Sequence, residues 1–315
     1  MTRRAIPLLL SLAAAAVSLG LNAQGPGPQA AGPTAPSPRT QALQAMTTLT
    51  DPLWRAKGDQ KRQYYFAAAN EVMPYRTYVP TTWDGQASLP VILMLHGGGA
   101  NENTYMDQAG GLLPRLAEQH GYIVVSPLGF RPVGAYGNPL RLPAVFGQPA
   151  AAATQRAAVT PARQRELTLS ELDVMTVLEI VTREYDADRS RTFLAGHSMG
   201  SGGAWHLAAR YPERWRAVAP MSGPFVDEPT YSFERLRAVS ILMTEGTGAT
   251  PSLEGSRLMA RYMRDKGFAF EYIEVDGDHM GMVPLVWPRV FEFFNRLRSL
   301  PTHDAFRRQS AVGLS

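Results

Sequence analysis

Apolar residues along this 315-residue chain fall into short continuous runs, separated by longer stretches in which they recur every three or four positions. Short runs rich in β-branched residues are typical of strands buried on both faces, and the longer periodic stretches are typical of amphipathic helices. The alternation predicts an α/β fold with a mainly parallel central sheet and helices on both faces. Six core strands are predicted, at Val91–Leu95, Tyr122–Ser126, Arg191–Ala195, Ala217–Met221, Val239–Thr244 and Phe268–Val275.

The stretch Arg131–Gln164 interrupts this alternation, because it is rich in Pro, Gly, Ala and Arg. A loop of that length is usually functional or disordered, so it either walls a substrate site or is a solvated insertion. Runs at Arg62–Phe66 and Tyr75–Val79 predict antiparallel strands at the sheet edge. Helices are predicted at Leu169–Tyr185, Ala204–Arg210, Ser252–Lys266 and Pro284–Leu297.

The first residues of the chain have the layout of a secretory signal peptide. Arg3 and Arg4 precede an apolar run over residues 5–21, and Leu21-Asn22-Ala23 offers a cleavage point. We therefore expect a secreted or periplasmic protein without stable membrane insertion after signal cleavage; the alternative is an uncleaved anchor. The predicted organisation is a signal peptide at 1–23, a disordered Pro/Gly/Ala linker at 24–40, one α/β domain at 41–300 and a C-terminal tail at 301–315.

Composition removes several classes of function. The chain has no cysteine, which excludes a disulfide framework, a thiolate zinc site and a cysteine nucleophile. Its 31 Lys and Arg against 27 Asp and Glu give a net charge of +4, but the basic residues are scattered. We therefore predict no nucleic-acid partner. The oligomeric state does not follow from these numbers.

The pentapeptide Gly196-His197-Ser198-Met199-Gly200 lies between a predicted strand and a predicted helix. A strand that turns directly into a helix forces the central residue into a strained conformation, and glycines two positions before and after it leave room for that turn. The serine hydroxyl is then exposed at the carboxyl end of the sheet. We predict Ser198 as a nucleophile; the alternative is a serine that merely caps a helix.

A second glycine-rich motif, His96-Gly97-Gly98-Gly99, follows the strand Val91–Leu95. Consecutive glycines allow backbone N–H groups to point into a site without obstruction by side chains. We predict that the amide of Gly98, or else that of Gly99, forms an oxyanion hole with the amide of Met199. His96 is expected to be structural. A phosphate-binding turn is the alternative, but the sequence G-x-x-x-x-G-K-[ST] does not follow.

In a chain with this serine turn the general base follows the nucleophile. His279 lies in the loop after the last predicted strand and is the predicted base, whereas His206 is inside the next helix and His303 is in the tail. Asp276 and Asp278 flank His279, but two carboxylates and one imidazole are too few for a metal site. We therefore predict neither a metal nor a cofactor.

Several motifs together resemble the secreted α/β-hydrolases grouped with prolyl-oligopeptidase-like esterases, polyhydroxybutyrate depolymerases and feruloyl esterases. The resemblance extends over Tyr64–Phe293 and implies the α/β-hydrolase fold and hydrolysis of a small-molecule or polymeric ester through an acyl-enzyme. A prolyl-oligopeptidase-like peptidase and a catalytically impaired binding protein on a hydrolase scaffold remain alternatives. The matching segments are Leu95–Asn101, Glu171-Leu172-Asp173-Val174, Asp188-Arg189, Gly196–Gly200 and Gly277-Asp278-His279.

The resemblance also implies an aspartate in the loop after the seventh strand, where it would orient the histidine. Residues 245–251 of this chain read Glu-Gly-Thr-Gly-Ala-Thr-Pro and contain no aspartate. Glu245 is the first choice for the missing acid, with Asp227 or Glu228 as the alternative. Glu254 is better placed to interact with the dipole of its own helix. The remaining possibility is that there is no acid.

Overall fold

The structure is a computed structural model, and it describes residues 54–299. The predicted signal peptide, linker and C-terminal tail lie outside the described residues, so they stay predictions. Among the described residues, no helix has both the length and the apolar character that a membrane span requires.

Eight strands form one sheet in the order β1-β2-β4-β3-β5-β6-β7-β8. The strands β3 to β8 are parallel, and β1 and β2 extend this sheet at one edge in antiparallel pairings. The strands are β1 at Gly58–Phe66, β2 at Glu71–Val79, β3 at Val91–Leu95, β4 at Ile123–Pro127, β5 at Thr192–His197, β6 at Ala217–Met221, β7 at Ser240–Gly246 and β8 at Phe270–Val275.

Helices cover both faces of the sheet. The helices α1 and α6 pack on one face, and α3, α4 and α5 pack on the other, so that the sheet separates two hydrophobic cores. The helices are α1 at Thr104–His120, α2 at Pro149–Ala157, α3 at Pro161–Glu184, α4 at Met199–Arg210, α5 at Leu253–Asp265 and α6 at Met282–Arg298.

Strand β3 shows why the core strands are continuously apolar. Leu93 and Leu95 belong to the core beneath α3, α4 and α5, whereas Ile92 and Met94 belong to the core beneath α1 and α6. Successive side chains of a strand point to opposite faces, so a strand covered on both sides needs an apolar residue at every position. The predicted α/β fold with helices on both faces is confirmed.

The helices differ from the sequence predictions in several places, and α4 begins at Met199, five residues before its predicted start. Helix α1 was not predicted, because Gly110 and Gly111 lie at a break where the backbone has positive φ values and the apolar period is lost. Helix α3 begins at Pro161, eight residues before the predicted start, with Thr160 as its N-cap. The stretch 131–164 also holds α2, and it is not a wholly solvated insertion, because Tyr136 and Phe146 are buried.

The carboxyl ends of β3 and β5 define a switch point in the sheet. The chain leaves β3 towards α1 on one face, and it leaves β5 towards α4 on the opposite face. Open α/β sheets bind ligands in the crevice that such diverging connections create. Both glycine-rich motifs predicted to carry chemistry follow these two strands, so the topology places them side by side.

Candidate active site

Ser198 occupies the sharp turn between β5 and α4. Its backbone angles are φ 57° and ψ −117°, a strained conformation for a residue with a side chain. The turn packs so closely that a Cβ atom on Gly196 would collide with the Gly200 carbonyl, and one on Gly200 would collide with the carbonyl of Leu95. Both glycines are therefore sterically required, as the spacing predicts. The Ser198 amide donates to the Met221 carbonyl at 2.9 Å, which ties the turn to the end of β6.

The glycine turn after β3 lies beside Ser198. The amide of Gly99 donates to the carbonyl of Pro132 at 2.8 Å, so it is already engaged and does not fit the role of second oxyanion donor. No acceptor for the amides of Gly98 or Met199 is found within the part of the chain that the structure describes. A Cβ atom on Gly98 would lie 3.8 Å from the Met199 side chain, which shows that the two residues are adjacent. The geometry favours Gly98 over Gly99.

Buried side chains hold this glycine turn from below. His96 is completely buried, and its ring nitrogens lie 2.8 Å from the carbonyl oxygens of Gly97 and Leu128. Burial lowers the pKa of His96, and the two carbonyl contacts act in the opposite direction. Tyr136, from the stretch that interrupts the strand–helix alternation, donates its hydroxyl to the His96 carbonyl at 2.9 Å. That stretch therefore supports the candidate site from the protein interior.

The imidazole of His279 lies against Ser198, as the sequence predicts. Its Nε2 is 2.9 Å from the Ser198 Oγ, although the two residues are 81 positions apart in the chain. Burial lowers the pKa of His279 from its ordinary value of 6.5, and the negative charges of Glu245 and Asp278 act in the opposite direction. A neutral imidazole with a lone pair on Nε2 can accept the proton of the Ser198 hydroxyl.

His197, the second residue of the serine turn, fixes the main chain of His279. Its Nε2 lies 2.7 Å from the His279 carbonyl oxygen, and its Nδ1 lies 2.6 Å from the Tyr105 hydroxyl. Burial, together with the positive charge that His279 can carry, lowers the pKa of His197 to about 3. The ring is therefore neutral, donating through Nε2 and accepting from Tyr105. Sequence reasoning did not assign this role, because the direction of the His197 side chain depends on the loop after β8.

The Nδ1 atom of His279 contacts a hydroxyl, Ser222 Oγ, at 2.8 Å. Ser222 directly follows β6, has a φ of 53°, and donates its amide to the Thr244 carbonyl at 2.9 Å. Sequence analysis did not identify this residue, since no motif surrounds it. The only signal was its position immediately after a parallel strand, at the same sheet edge as Ser198.

Glu245 lies deeper than expected and does not contact His279. It is completely buried near the end of β7, and its Oε2 accepts hydrogen bonds from Ser252 at 2.9 Å and Ser256 at 2.7 Å. Ser252 is the residue before α5 and Ser256 is in its first turn, so the start of this helix holds the carboxylate. Ser252 Oγ is also 3.2 Å from Ser222 Oγ, so two hydroxyls lie between the carboxylate and the imidazole.

The structure does not bring the alternative acids to His279. Asp227 forms an ion pair with Arg156 at 2.8 Å and lines a cavity of about 560 Å³ that neither Ser198 nor His279 lines. Glu228 is exposed. The loop after β6 carries Asp227 towards α2, where it pairs with Arg156.

Glu254 and His206, the other acid and the other histidine considered from sequence, pair with residues outside the candidate site. Glu254, in the first turn of α5, is exposed and pairs with Arg261 at 3.1 Å. His206 lies in α4 and its Nε2 is 2.8 Å from a carboxylate oxygen of Glu171. Neither residue is recorded in contact with the imidazole.

The aspartate beside His279 shapes the loop that carries the ring. Asp278 Oδ1 accepts the backbone amides of Met280 at 3.1 Å and Gly281 at 2.6 Å, just before α6 begins. Such a side-chain-to-backbone turn fixes the entry into a helix. Across residues 54–299 there is no group of three or more histidine and acidic side chains arranged to hold a metal ion.

A parallel sheet with a switch point and a strained serine between β5 and α4 places this chain among the α/β-hydrolases. Comparison with protein families makes the assignment narrower. Residues 67–279 match the model of the Esterase family, described as "Putative esterase", and they make up more than half of the chain. The chain belongs to the Esterase family.

Known proteins agree with this assignment. Feruloyl esterase B of Neurospora crassa is 29% identical over 148 residues, which are 47% of this chain and 42% of the relative. The matched region thus spans less than half of that relative's length. Fluorophosphonate-binding serine hydrolase F of Staphylococcus aureus, solved with substrate bound, has a TM-score of 0.56 at 15% identity, over 77% of this chain and 99% of its own.

A ferulic acid esterase from Anaeromyces mucronatus, solved with ferulic acid, is similar in fold. It has a TM-score of 0.53 at 18% identity, over 80% of this chain and 96% of its own. Likeness at this level of identity establishes a shared fold. What the particular residues of this chain do must be argued from its own geometry.

Proposed function

We propose that this protein hydrolyses carboxylic esters with Ser198 as nucleophile and His279 as general base. The observation that carries the proposal is the 2.9 Å contact between Ser198 Oγ and His279 Nε2 at the end of the switch-point crevice. The two residues are 81 positions apart in the chain, yet they meet within hydrogen-bond distance. Membership of the Esterase family supports an ester as the substrate.

In the first half of the reaction, the Ser198 Oγ attacks the acyl carbon while His279 Nε2 accepts its proton. The carbonyl oxygen becomes an oxyanion and is held by the amides of Gly98 and Met199, which have no acceptor among the described residues. One donor of this kind typically contributes about 3 kcal/mol to transition-state stabilisation. The imidazolium then protonates the leaving alkoxide, the alcohol departs, and an acyl-Ser198 ester remains.

In the second half, water replaces the alcohol. His279 Nε2 accepts a proton from the water as its oxygen attacks the acyl carbon, and the same two amides hold the second oxyanion. The proton returns to Ser198 Oγ when the acyl–oxygen bond breaks, which releases the carboxylic acid. The acid and the alcohol together account for the ester and one water, and no other reactant is needed.

A fluorophosphonate tests the nucleophile directly, because it forms a stable phosphonyl ester with an activated serine. We expect one adduct by intact mass, located at Ser198 by peptide mapping, and hydrolysis of p-nitrophenyl acetate that stops once the adduct is complete. Ser198→Ala is expected to lose both the adduct and the activity. The control is Ser88→Ala, because Ser88 is exposed and precedes the amino end of β3, at the opposite edge of the sheet from Ser198. Hydrolysis by Ser198→Ala at the rate of the unaltered protein would refute the proposal.

A further inference from the structure

A chain of buried hydroxyls connects His279 to a carboxylate that it does not touch. The links are His279 Nδ1 to Ser222 Oγ at 2.8 Å, Ser222 Oγ to Ser252 Oγ at 3.2 Å, and Ser252 Oγ to Glu245 Oε2 at 2.9 Å. Ser222 is 1% exposed, and Ser252 and Glu245 are completely buried. The bond between the two hydroxyls and the bond to the carboxylate are therefore buried, which makes each of them stronger than it would be at the surface.

Proton counting fixes the direction of every bond in this chain. An ionised carboxylate only accepts, so Ser252 must donate its single hydroxyl proton to Glu245. Ser252 then has no proton for Ser222, so Ser222 donates to Ser252. Ser222 in turn has no proton left for the imidazole, and the remaining bond requires a proton on Nδ1 of His279. Nε2 is then left with the lone pair that faces Ser198.

We propose that Ser222 is the positioning residue for His279, and that Glu245 acts on the imidazole through the hydroxyls of Ser222 and Ser252. This inference rests on the proposed function, because it assigns the support of the same general base. The hydroxyl chain selects the tautomer and fixes the ring plane. The buried negative charge at its far end stabilises the imidazolium that forms when Ser198 loses its proton.

The register of the parallel strands explains how Ser198, Ser222 and Glu245 come to lie in a row. The amide of Ser198 bonds to the carbonyl of Met221 at the end of β6, and the amide of Ser222 bonds to the carbonyl of Thr244 in β7, one residue before Glu245. Ser198, Ser222 and Glu245 thus occupy matching places at the ends of three neighbouring parallel strands. The positive φ of Ser222 is costly, and such a conformation persists where the surroundings determine it.

The first test removes the hydroxyl in two ways. Ser222→Ala and Ser222→Gly both leave Nδ1 without its acceptor, and glycine also tolerates a φ of 53° without strain. We expect both variants to lose about 10- to 100-fold in kcat with little change in KM, a smaller loss than the roughly 10⁴-fold reported for a triad aspartate. The acidic limb of the pH profile should move to lower pH, because the imidazolium loses its support. Unchanged kcat and an unchanged limb in both would overturn the proposal.

The second test moves the carboxylate. Glu245→Gln should lower kcat by a factor similar to that of the Ser222 variants, because the hydroxyl chain remains while its charge is lost. Ser222→Asp combined with Glu245→Gln places a carboxylate directly at Nδ1, and aspartate tolerates a positive φ better than most residues. We expect the double variant to recover at least tenfold over Glu245→Gln. Failure to recover in a folded double variant would count against the relay.

The third test uses two serines that differ in one respect. Ser252 and Ser256 are both buried and both donate to Glu245 Oε2, but only Ser252 also contacts Ser222. Ser252→Ala should lose about tenfold in kcat, and Ser256→Ala should lose clearly less. Equal losses would show that the serines only hold Glu245 in the core and would contradict the relay.

Fluorophosphonate labelling separates the two proposals. If the relay is wrong but Ser198 is the nucleophile, the Ser222 variants will label Ser198 at the rate of the unaltered protein. If the relay is correct, they will label Ser198 more slowly. If the proposed function itself is wrong, the unaltered protein will form no adduct at Ser198, and Ser198→Ala will remain active.

Discussion

Ser198 and Ser222 are two serines in nearly the same structural position with different surroundings. Each directly follows a parallel strand, has a positive φ (57° and 53°), and donates its amide to the carbonyl of a neighbouring strand. Their hydroxyls contact opposite nitrogens of the same imidazole, at 2.9 Å for Ser198 and 2.8 Å for Ser222. Sequence position relative to the sheet therefore does not decide which serine is suited to attack a substrate.

Burial and neighbours distinguish the two. Ser198 is half-buried at the first turn of α4, beside the open amides of Gly98 and Met199. Ser222 is enclosed, and its one proton is committed towards Ser252 and Glu245. A nucleophilic hydroxyl must be accessible to the substrate, and it needs a proton acceptor and hydrogen-bond donors for the oxyanion. A hydroxyl that orients an imidazole ring needs instead a fixed hydrogen-bond partner that is buried from water.

The largest expected contrast between the two serines is in turnover. Ser198→Ala removes the reacting atom, and loss of a catalytic serine in a related system costs about 10⁶-fold in kcat. We expect a loss of at least about 10⁵-fold for Ser198→Ala and a far smaller one for Ser222→Ala, measured side by side with p-nitrophenyl acetate. Comparable losses in the two variants would remove the distinction between reacting and orienting serine.

His197 holds the main chain of His279, so replacing it should weaken the contacts of the imidazole with both Ser198 and Ser222. His197→Phe removes the donor to the His279 carbonyl and leaves the buried Tyr105 hydroxyl without its partner. We expect kcat to fall about tenfold and the free energy of unfolding to fall by roughly 1–3 kcal/mol, the usual cost of a buried unpaired polar group. The two measurements are steady-state kinetics and urea denaturation.

The control for this variant is Tyr105→Phe, which keeps the bond between His197 and His279. It should lower kcat less than His197→Phe does. If both variants have the same kcat, the bond to the His279 carbonyl does not position the ring.

The pH dependence of kcat/KM also bears on the two serines, because both of them contact the imidazole of His279. Burial keeps the pKa of His279 below 6.5, and only the neutral ring can accept the Ser198 proton. Protonation at lower pH removes the base, so kcat/KM should be constant near pH 7 and fall on the acidic side of about 6.5. An acidic limb centred above pH 7 would contradict the environment described for this ring.

The smallest expected effect is at Asp227, the acid that does not reach His279. Asp227→Asn breaks the ion pair with Arg156 on the wall of a separate cavity. We expect kcat to change by less than about threefold, since an ion pair with one partly exposed member contributes little. A loss as large as that of Glu245→Gln would show that the acid acting on His279 had been assigned incorrectly.

Local motifs let the sequence identify part of the candidate site. The glycines around Ser198 are required by a turn of five residues, and the glycine run after β3 is equally local. His279 could be selected because the chain order leaves few histidines after the serine. The alternation of strands and helices likewise determined the fold class, because periodicity records which faces are buried.

Only the tertiary structure decided what supports His279. Ser222, Ser252 and Glu245 lie on three separate elements, and no spacing in the chain relates them. A direct contact of Glu245 with the ring was a reasonable expectation, but the start of α5 covers this carboxylate and two hydroxyls fill the space between. Backbone turns are determined by neighbours in sequence, whereas hydrogen-bond partners across parallel strands are determined by register and packing, which a single sequence does not display.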